Sequence, residues 1–279
     1  MTLSRAQARR RAVWAMNLLV WPLALLWLFP LWAMLVFATM PDSAIFSPET
    51  LLWPSDQFIN NFNVLEQNAG FTRTMINSVV AGLIYASLSV LLTSMAGWAL
   101  ACYRFVGKVA VTALLLGTMT LPFFVVVIPQ FILVAREFNL ANTWFALIVP
   151  PLFNSLGVLF MRQAFLMMPR DLFDAARVEG VSEWRIYFFV GLPLARPMLA
   201  ALAIIMFLFS WNNYLWPLLI NTQTEMMTAP VALGSLIGVT RVSWGGIMAG
   251  AIILTVPMLI LFVALQRHFV SGIAAGAVK

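Results

Sequence analysis

Ten carboxylates, one histidine (His268) and one cysteine (Cys102) are all that 279 residues supply for metal coordination, and they are scattered. That leaves no Cys/His cluster and no internal disulfide. The sequence contains no Gly-x-Ser-x-Gly elbow, no His-Glu-x-x-His helix and no carboxylate pair beside a nucleophile, so it reads as a chain without catalysis of its own. A phosphate-cradling G-x-x-x-x-G-K-[ST] loop is missing too: Gly107-Lys108 runs into Val109 and lacks the upstream glycine. No metal or cofactor is expected in this chain.

What remains is recognition chemistry, concentrated in two stretches. The first is "DAARVEGVSEWRIYFFVGLPLARP", Asp174 to Pro197, which holds six charges in a chain where only 9% of residues are charged. The second is "SWNNYLWPLL", Ser210 to Leu219, where Trp211, Tyr214 and Trp216 interleave with Asn212 and Asn213. Amides beside aromatic faces suit a neutral hydroxylated solute, whose hydroxyls need partners while its apolar faces stack. The same groups also serve as glue between helices or as an interfacial belt. Gln130 and Asn154 add uncharged polar groups to other apolar runs, giving Gln130, Asn154, Trp211, Asn212, Asn213 and Tyr214 as a candidate translocation path.

The elements that position these residues are membrane helices. The chain is 62% hydrophobic with a mean hydropathy of +0.94, and its apolar residues lie in long runs rather than in the short alternating segments of a barrel. An all-α fold is expected. Six runs reach the roughly 20 residues that a core of about 30 Å requires: 12–38, 74–102, 109–134, 143–161, 198–219 and 246–265. The first reads as a retained anchor, since it is too long for a signal h-region and Pro41 follows without a small-residue cleavage site. With a cytoplasmic N-terminus, 13 of the 16 Lys and Arg fall on the inside and only Arg73, Arg136 and Arg241 outside, as the positive-inside rule prefers. Both termini and the stretch Asp174 to Pro197 are then cytoplasmic. The +6 charge belongs to membrane ends and needs no nucleic acid. Two long outer loops, 39–73 and 220–245, either meet an external partner or lie on the headgroups.

No Asp, Glu, Lys or Arg falls inside any of these spans. Ion-coupled transporters place ionisable groups there, so a self-powered pump is disfavoured. Prolines 122, 129, 150, 151 and 257 allow kinks, and Gly246-x-x-x-Gly250 offers a close-packing face.

Locally, Pro169 precedes a helix whose Leu172, Ala175 and Ala176 share a face. Gly180 supplies a left-handed stop. Ser182 is placed to cap a second helix with Glu183 in its first turn. Trp184, Tyr187 and Phe188 form that helix's apolar face, and Gly191 with Pro193 closes it. A helix–turn–helix of this kind either sits in a partner's groove or lies on the membrane.

Asp174-Ala175-Ala176, Gly180 and Gly191-Leu192-Pro193 resemble the Glu-Ala-Ala loop of binding-protein-dependent ABC importer permeases, with Asp174 in place of the usual Glu. "WNNYLWPLLI" and the tail Gln266 to Lys279 are similar to the carbohydrate-uptake branch, specifically its smaller, maltose-type permease subunit, and Arg73, Asn77 and Ser78 resemble the start of the shared permease core. The resemblance implies a type I importer permease of six transmembrane helices in a bacterial cytoplasmic membrane. The chain would be one permease domain, 1–279: N-terminal tail, first span and outer loop to 72, core 73–265 with the coupling loop 169–197, and tail 266–279. It implies a carbohydrate as cargo, with glycerol phosphate and an ion-coupled mechanism as alternatives. The partners implied are a second homologous permease, a homodimeric ATPase that holds ATP and Mg, and an extracytoplasmic solute-binding protein. Asp174, Ala175, Ala176, Glu179, Gly180, Gly191 and Pro193 would dock on the ATPase, with the acid of Asp174 pairing to a basic residue there. Gly272, Ile273, Gly276, Ala277, Val278 and Lys279 would reach the ATPase interface, and the loop 220–245 would enter the binding protein's cleft.

Overall fold

A computed structural model describes residues 5–47, 53–238 and 242–277, whose regular structure is all helical, with no strand among them. In chain order the helices are α1 (Arg5–Ala38), α2 (Asp42–Ile45), α3 (Phe58–Ala69), α4 (Phe71–Cys102), α5 (Lys108–Thr120), α6 (Phe123–Phe131), α7 (Trp144–Ile148), α8 (Ser155–Leu166), α9 (Arg170–Val178), α10 (Glu183–Ile186), α11 (Leu192–Leu194), α12 (Arg196–Trp211), α13 (Leu215–Ile220), α14 (Ala229–Ser235) and α15 (Trp244–Ala277). They divide into two compact units, residues 1–69 with 235–255, and 70–234 with 256–279.

In the first unit α1 carries apolar side chains on every side, and from Val13 to Trp32 most are exposed, as suits a helix whose solvent is lipid. Its C-terminal turn packs Val36 against Met40 and Ile45 under Phe37 and Trp244. The orphan carbonyls at that end are met by the buried Asn61, whose Nδ2 donates to Ala38 O (2.9 Å) and Met40 O (2.8 Å). Asp42 accepts from Gly245 N at 2.7 Å, an acid at the start of α15 where the helix dipole favours it.

The second unit is built around α4, which packs along α8 and α12. Small residues set the spacing. A Cβ on Gly97 would lie 2.7 Å from Met161 Cβ and 2.8 Å from Arg162 N, and one on Gly157 would lie 2.9 Å from Thr93 Cγ2. Ser89, Thr93 and Ser94 are buried on the same stripe of α4, the arrangement by which membrane helices approach closely. The sequence pointed instead to Gly246-x-x-x-Gly250, and at Gly246 the near neighbours are Ser243 and the Asn61 backbone.

Among the described residues, three unbroken helices are long and apolar enough to span a membrane: Met16–Ala38, Phe71–Cys102 and Trp244–Ala264. The other three expected spans are not straight. Lys108–Thr120 meets Phe123–Glu137 at 96°, and Trp144–Leu152 meets Ser155–Leu166 at 50°. At about 1.5 Å per residue α5 rises roughly 20 Å, short of the core thickness. Proline explains the breaks. Leu121, forced extended before Pro122 (ψ 124°), ends α5, and Pro150 and Pro151 tighten α7 into a 3-10 turn. The fifth run breaks at Asn212–Tyr214, between α12 and α13. The ring of Pro217 would clash there with the carbonyl of Asn213, four residues back.

Candidate functional site

The charged stretch folds as two short helices against the C-terminal end of α4. Pro169 occupies the position before α9, Asp171 stands in its first turn and Arg177 in its last, each suited to the dipole. The helix closes on Gly180 (φ +78°), with Gly180 N donating to Arg177 O (3.0 Å) and Val181 N to Ala176 O (3.1 Å). That pair of bonds is the left-handed closure expected of a glycine after a helix end. A Cβ on Gly180 would meet nothing within 4 Å, so only the backbone demands glycine there.

Nine residues of α9 present two faces. Arg170, Phe173, Asp174 and Arg177 share one, and Phe173 on it is buried. Leu172, Ala175 and Glu179 lie on the opposite side and are exposed.

Phe173 meets Trp98 of α4 edge-on at 4.9 Å. Trp98, itself 3% exposed, also contacts Phe165 at 5.1 Å and Tyr187 at 5.7 Å. Below the ring lies Gly191, whose Cβ would come within 2.8 Å of Trp98 Cζ3. Gly191 is therefore a contact residue inside a helix (φ −63°), not the turn that the sequence suggested. The second helix continues through a π turn, Tyr187–Gly191, to Leu194, with Pro193 in the first turn of α11. It then bends by 81° into α12. The π turn rotates the register: Ile186 and Tyr187 are the buried pair, whereas Trp184 and Phe188 are exposed and stack at 6.2 Å. Ser182 stands at the N-cap position without a side-chain bond to the helix, also unlike the sequence expectation.

A polar relay runs beside this socket. Arg177 donates to Asp174 Oδ1 (2.8 Å) and in forked fashion to Glu183 Oε1 and Oε2 (2.8 and 3.3 Å). Tyr103 OH donates to Glu183 Oε2 at 2.8 Å. The Arg177 hydrogen bonds hold the Glu183 carboxyl below the usual glutamate range, with Tyr103 acting in the same direction. Ser94 and Tyr187 share a buried hydroxyl pair at 2.7 Å. Arg177 supplies the charge partner of Asp174 within this chain.

At the other end of α4 a second set of amides holds the segment after α13. Asn77 Nδ2 donates to Glu225 O and Met227 O, both at 2.9 Å, and Ser78 Oγ accepts from Ala229 N at 2.8 Å. Asn221 Nδ2 donates to Met226 O at 2.8 Å. Asn142, in the left-handed region that asparagine tolerates (φ +60°), accepts from Thr222 N and Gln223 N at 2.7 and 2.9 Å. Residues 222–225 stay exposed on this clamped base. The sequence drew attention to Asn77 and Ser78 without showing their partners; an adjacent amide and hydroxyl near the start of a span was the available signal. Nothing in sequence marked Trp98 or Asn142.

The amide–aromatic cluster separates into roles. Trp211 is 2% exposed and stacks on Phe207 at 5.3 Å, while the buried Trp216 donates Nε1–H to Ala146 O at 3.0 Å. These two pack helices. Asn212 is exposed, and Asn213 and Gln130 are half-buried. Asn213 lines a cavity of ≈ 20 Å³ with Tyr85, Ser210 and Thr228. Gln130 does not line that cavity. Tyr214 lies over Gly234, where a Cβ would be 2.5 Å from its hydroxyl. Asn154 caps α8, accepting from Gly157 N at 3.0 Å. Thr118 and Ser155 pair at 2.7 Å and tie α5 to α8.

Gly272, Ile273, Gly276 and Ala277 continue the backbone of α15; Val278 and Lys279 lie outside the described residues. Among the described residues no group of three or more His, Cys, Asp or Glu gathers.

Residues 89–275 match the family described as "Binding-protein-dependent transport system inner membrane component". The chain is 36% identical to the arabinooligosaccharides transport system permease protein of Halalkalibacterium halodurans, with 92% of this chain and 93% of that one covered. It is also 36% identical to the lactose transport system permease protein of Rhizobium radiobacter, covering 73% and 74%. Identity falls to 30% with the sn-glycerol-3-phosphate transport system permease protein of Salmonella typhi, covering 88% and 90%. Among solved structures, a bacterial ABC transporter involved in import of the acidic polysaccharide alginate superposes with a TM-score of 0.80 at 21% identity, covering 96% of this chain and 99% of that one.

Proposed function

This chain belongs to the binding-protein-dependent transport system inner membrane components, and from that premise we propose that it is a permease subunit of an ATP-driven importer for an oligosaccharide. The observation that carries the reading is the end-to-end match, 92% of this chain against 93% of an arabinooligosaccharide permease. The glycerol-phosphate alternative fits less well, because the polar groups around the helix breaks are uncharged amides and hydroxyls and a phosphate diester or monoester would need cations.

In this reading both termini and α9–α11 face the cytoplasm. The exposed face Leu172, Ala175 and Glu179 meets a homodimeric ATPase, which holds the ATP and Mg, and a second permease completes the path. An extracytoplasmic binding protein meets residues 222–225. A periplasmic protein carrying an alginate pentasaccharide accompanies another solved alginate transporter, which supports such a partner here. Closure of the ATPase pushes α9. The push passes through Phe173 and Trp98 into α4, and the helix breaks at Asn154 and Asn212–Tyr214 lend polar backbone to the path.

Substrate class is tested with the complete importer in liposomes, supplied with ATP and its binding protein. Labelled arabino-oligosaccharide or lactose is expected to accumulate while glycerol 3-phosphate is not. Uptake of the phosphate in preference to both sugars would overturn the sugar assignment.

A further inference from the structure

We infer that the pocket between the ends of α4 and α8 and the inner face of α9 is a binding site for the phosphate headgroup of an anionic phospholipid. The pocket encloses ≈ 240 Å³. Three guanidinium-bearing side chains, Arg104, Arg170 and Arg177, line it against one carboxylate, Asp174. Arg177 is already engaged by Asp174 and Glu183. Among the described residues Arg104 and Arg170 form no ion pair and both are exposed, so their guanidinium groups are open to an external anion. Guanidinium groups prefer oxyanions that accept two parallel hydrogen bonds, and phosphate is such a group.

Depth and lining choose the source of that phosphate. Cys102 ends the α4 span, Arg104 follows two residues later, and Leu166 ends α8. The site therefore lies where apolar chain gives way to polar chain, at headgroup level. Its lining also includes the half-buried Leu166 and the buried Phe165 and Phe173. An amphiphile suits this level: phosphate on the arginines, with its acyl chains running toward the hydrocarbon along the apolar ends of α4 and α8. Basic pockets among transmembrane helices hold lipid headgroups on this pattern. Because Arg170 and Arg177 belong to α9, an occupied pocket ties the lever of the transporter to the leaflet around it.

The inference rests on the membrane position of the chain and not on its cargo or on docking of the ATPase. Its test reads lipid binding alone. Purified full-length protein in mild detergent is titrated with phosphatidylglycerol or phosphatidylcholine and bound lipid is counted by native mass spectrometry. Phosphatidylglycerol is expected to be retained and phosphatidylcholine not. Arg104→Ala with Arg170→Ala should weaken retention by roughly thirtyfold, at about 1 kcal/mol per basic residue. Arg104→Lys with Arg170→Lys, which keeps both charges, should restore most of it and controls for misfolding. Equal retention of the two lipids, or full retention by the double alanine variant, would overturn the site. Displacement by inorganic phosphate with no lipid retained would make it a free-anion site and sink the lipid assignment. Crosslinks from position 104 to an ATPase subunit, in place of lipid, would do the same in favour of a protein contact.

Discussion

Among single residues, glycines of this chain differ in what they face. Gly97 confronts the backbone of α8 at 2.8 Å, whereas Gly117 has nothing within 4 Å of its Cβ position. Gly97→Ala must push α4 and α8 apart, at about 1–3 kcal/mol for overpacking. Gly117→Ala should be neutral or stabilise by up to about 1 kcal/mol through helix propensity. Thermal unfolding in detergent separates them, and equal midpoints would contradict the packing described for α4. Glu183 gives a second prediction. Its folded carboxyl is held below the ordinary value of 4.5, so its contribution is present above that value and lost as pH falls through the lower folded one. Because the side chain is 41% exposed, the pair contributes no more than about 1 kcal/mol. Glu183→Gln should therefore lower the unfolding midpoint slightly and evenly between about pH 6 and 8, with the difference shrinking as pH falls through the depressed folded value. A difference that grew in acid would contradict the Arg177–Glu183 pair.

Among elements α4 is the strut. Its 32 residues rise about 48 Å, enough to cross the core and project at both ends. One end is clamped to residues 225–229 by Asn77 and Ser78, the other keyed to α9 and α10 by Trp98, Ser94 and Tyr103. Asn77→Leu removes two hydrogen bonds, together about 1–2 kcal/mol. Amide exchange at residues 222–229 should accelerate roughly five- to thirtyfold, as local opening becomes easier by that amount. Unchanged exchange there would refute the clamp. The helical class and the ends of α1, α4 and α9 were legible in sequence, because long apolar runs, Pro169 and Gly180 act locally. Helix breaks were legible only in part. Pro122 and Pro150 advertised kinks, but the break at Asn212–Tyr214 arises from Pro217 acting four residues upstream. The π turn at Tyr187–Gly191 left no local mark, so the burial of Tyr187 beside an exposed Trp184 and Phe188 could not be foreseen. Trp98 could not be read as a hub, since the residues packed on its ring, Phe165, Phe173, Tyr187 and Gly191, all lie far away in sequence, and Gly191 looked like punctuation when it is a contact.

For the whole molecule, the separation of tasks follows from composition. The six apolar runs read from sequence exclude ionisable groups, but the bent pair Trp144–Leu152 and Ser155–Leu166 takes in Arg162; under the proposed function, the exposed Leu172 and Ala175 on the charged helix α9 are the surface offered to a separate ATPase. Basic residues crowd the segments next to that helix, the pattern from which the proposed cytoplasmic orientation is read.

The most direct test uses this chain with the proposed second permease, ATPase and binding protein together in liposomes, measuring ATP hydrolysis and labelled sugar uptake in parallel for Gly180→Val and Gly180→Asn. Valine is strained in the left-handed region by about 1–2 kcal/mol and asparagine is tolerated. The account predicts that Gly180→Val still hydrolyses ATP but loses uptake, with Gly180→Asn close to the parent protein. Normal uptake by Gly180→Val at normal protein levels, or uphill accumulation of sugar by this chain without its ATPase, would contradict it.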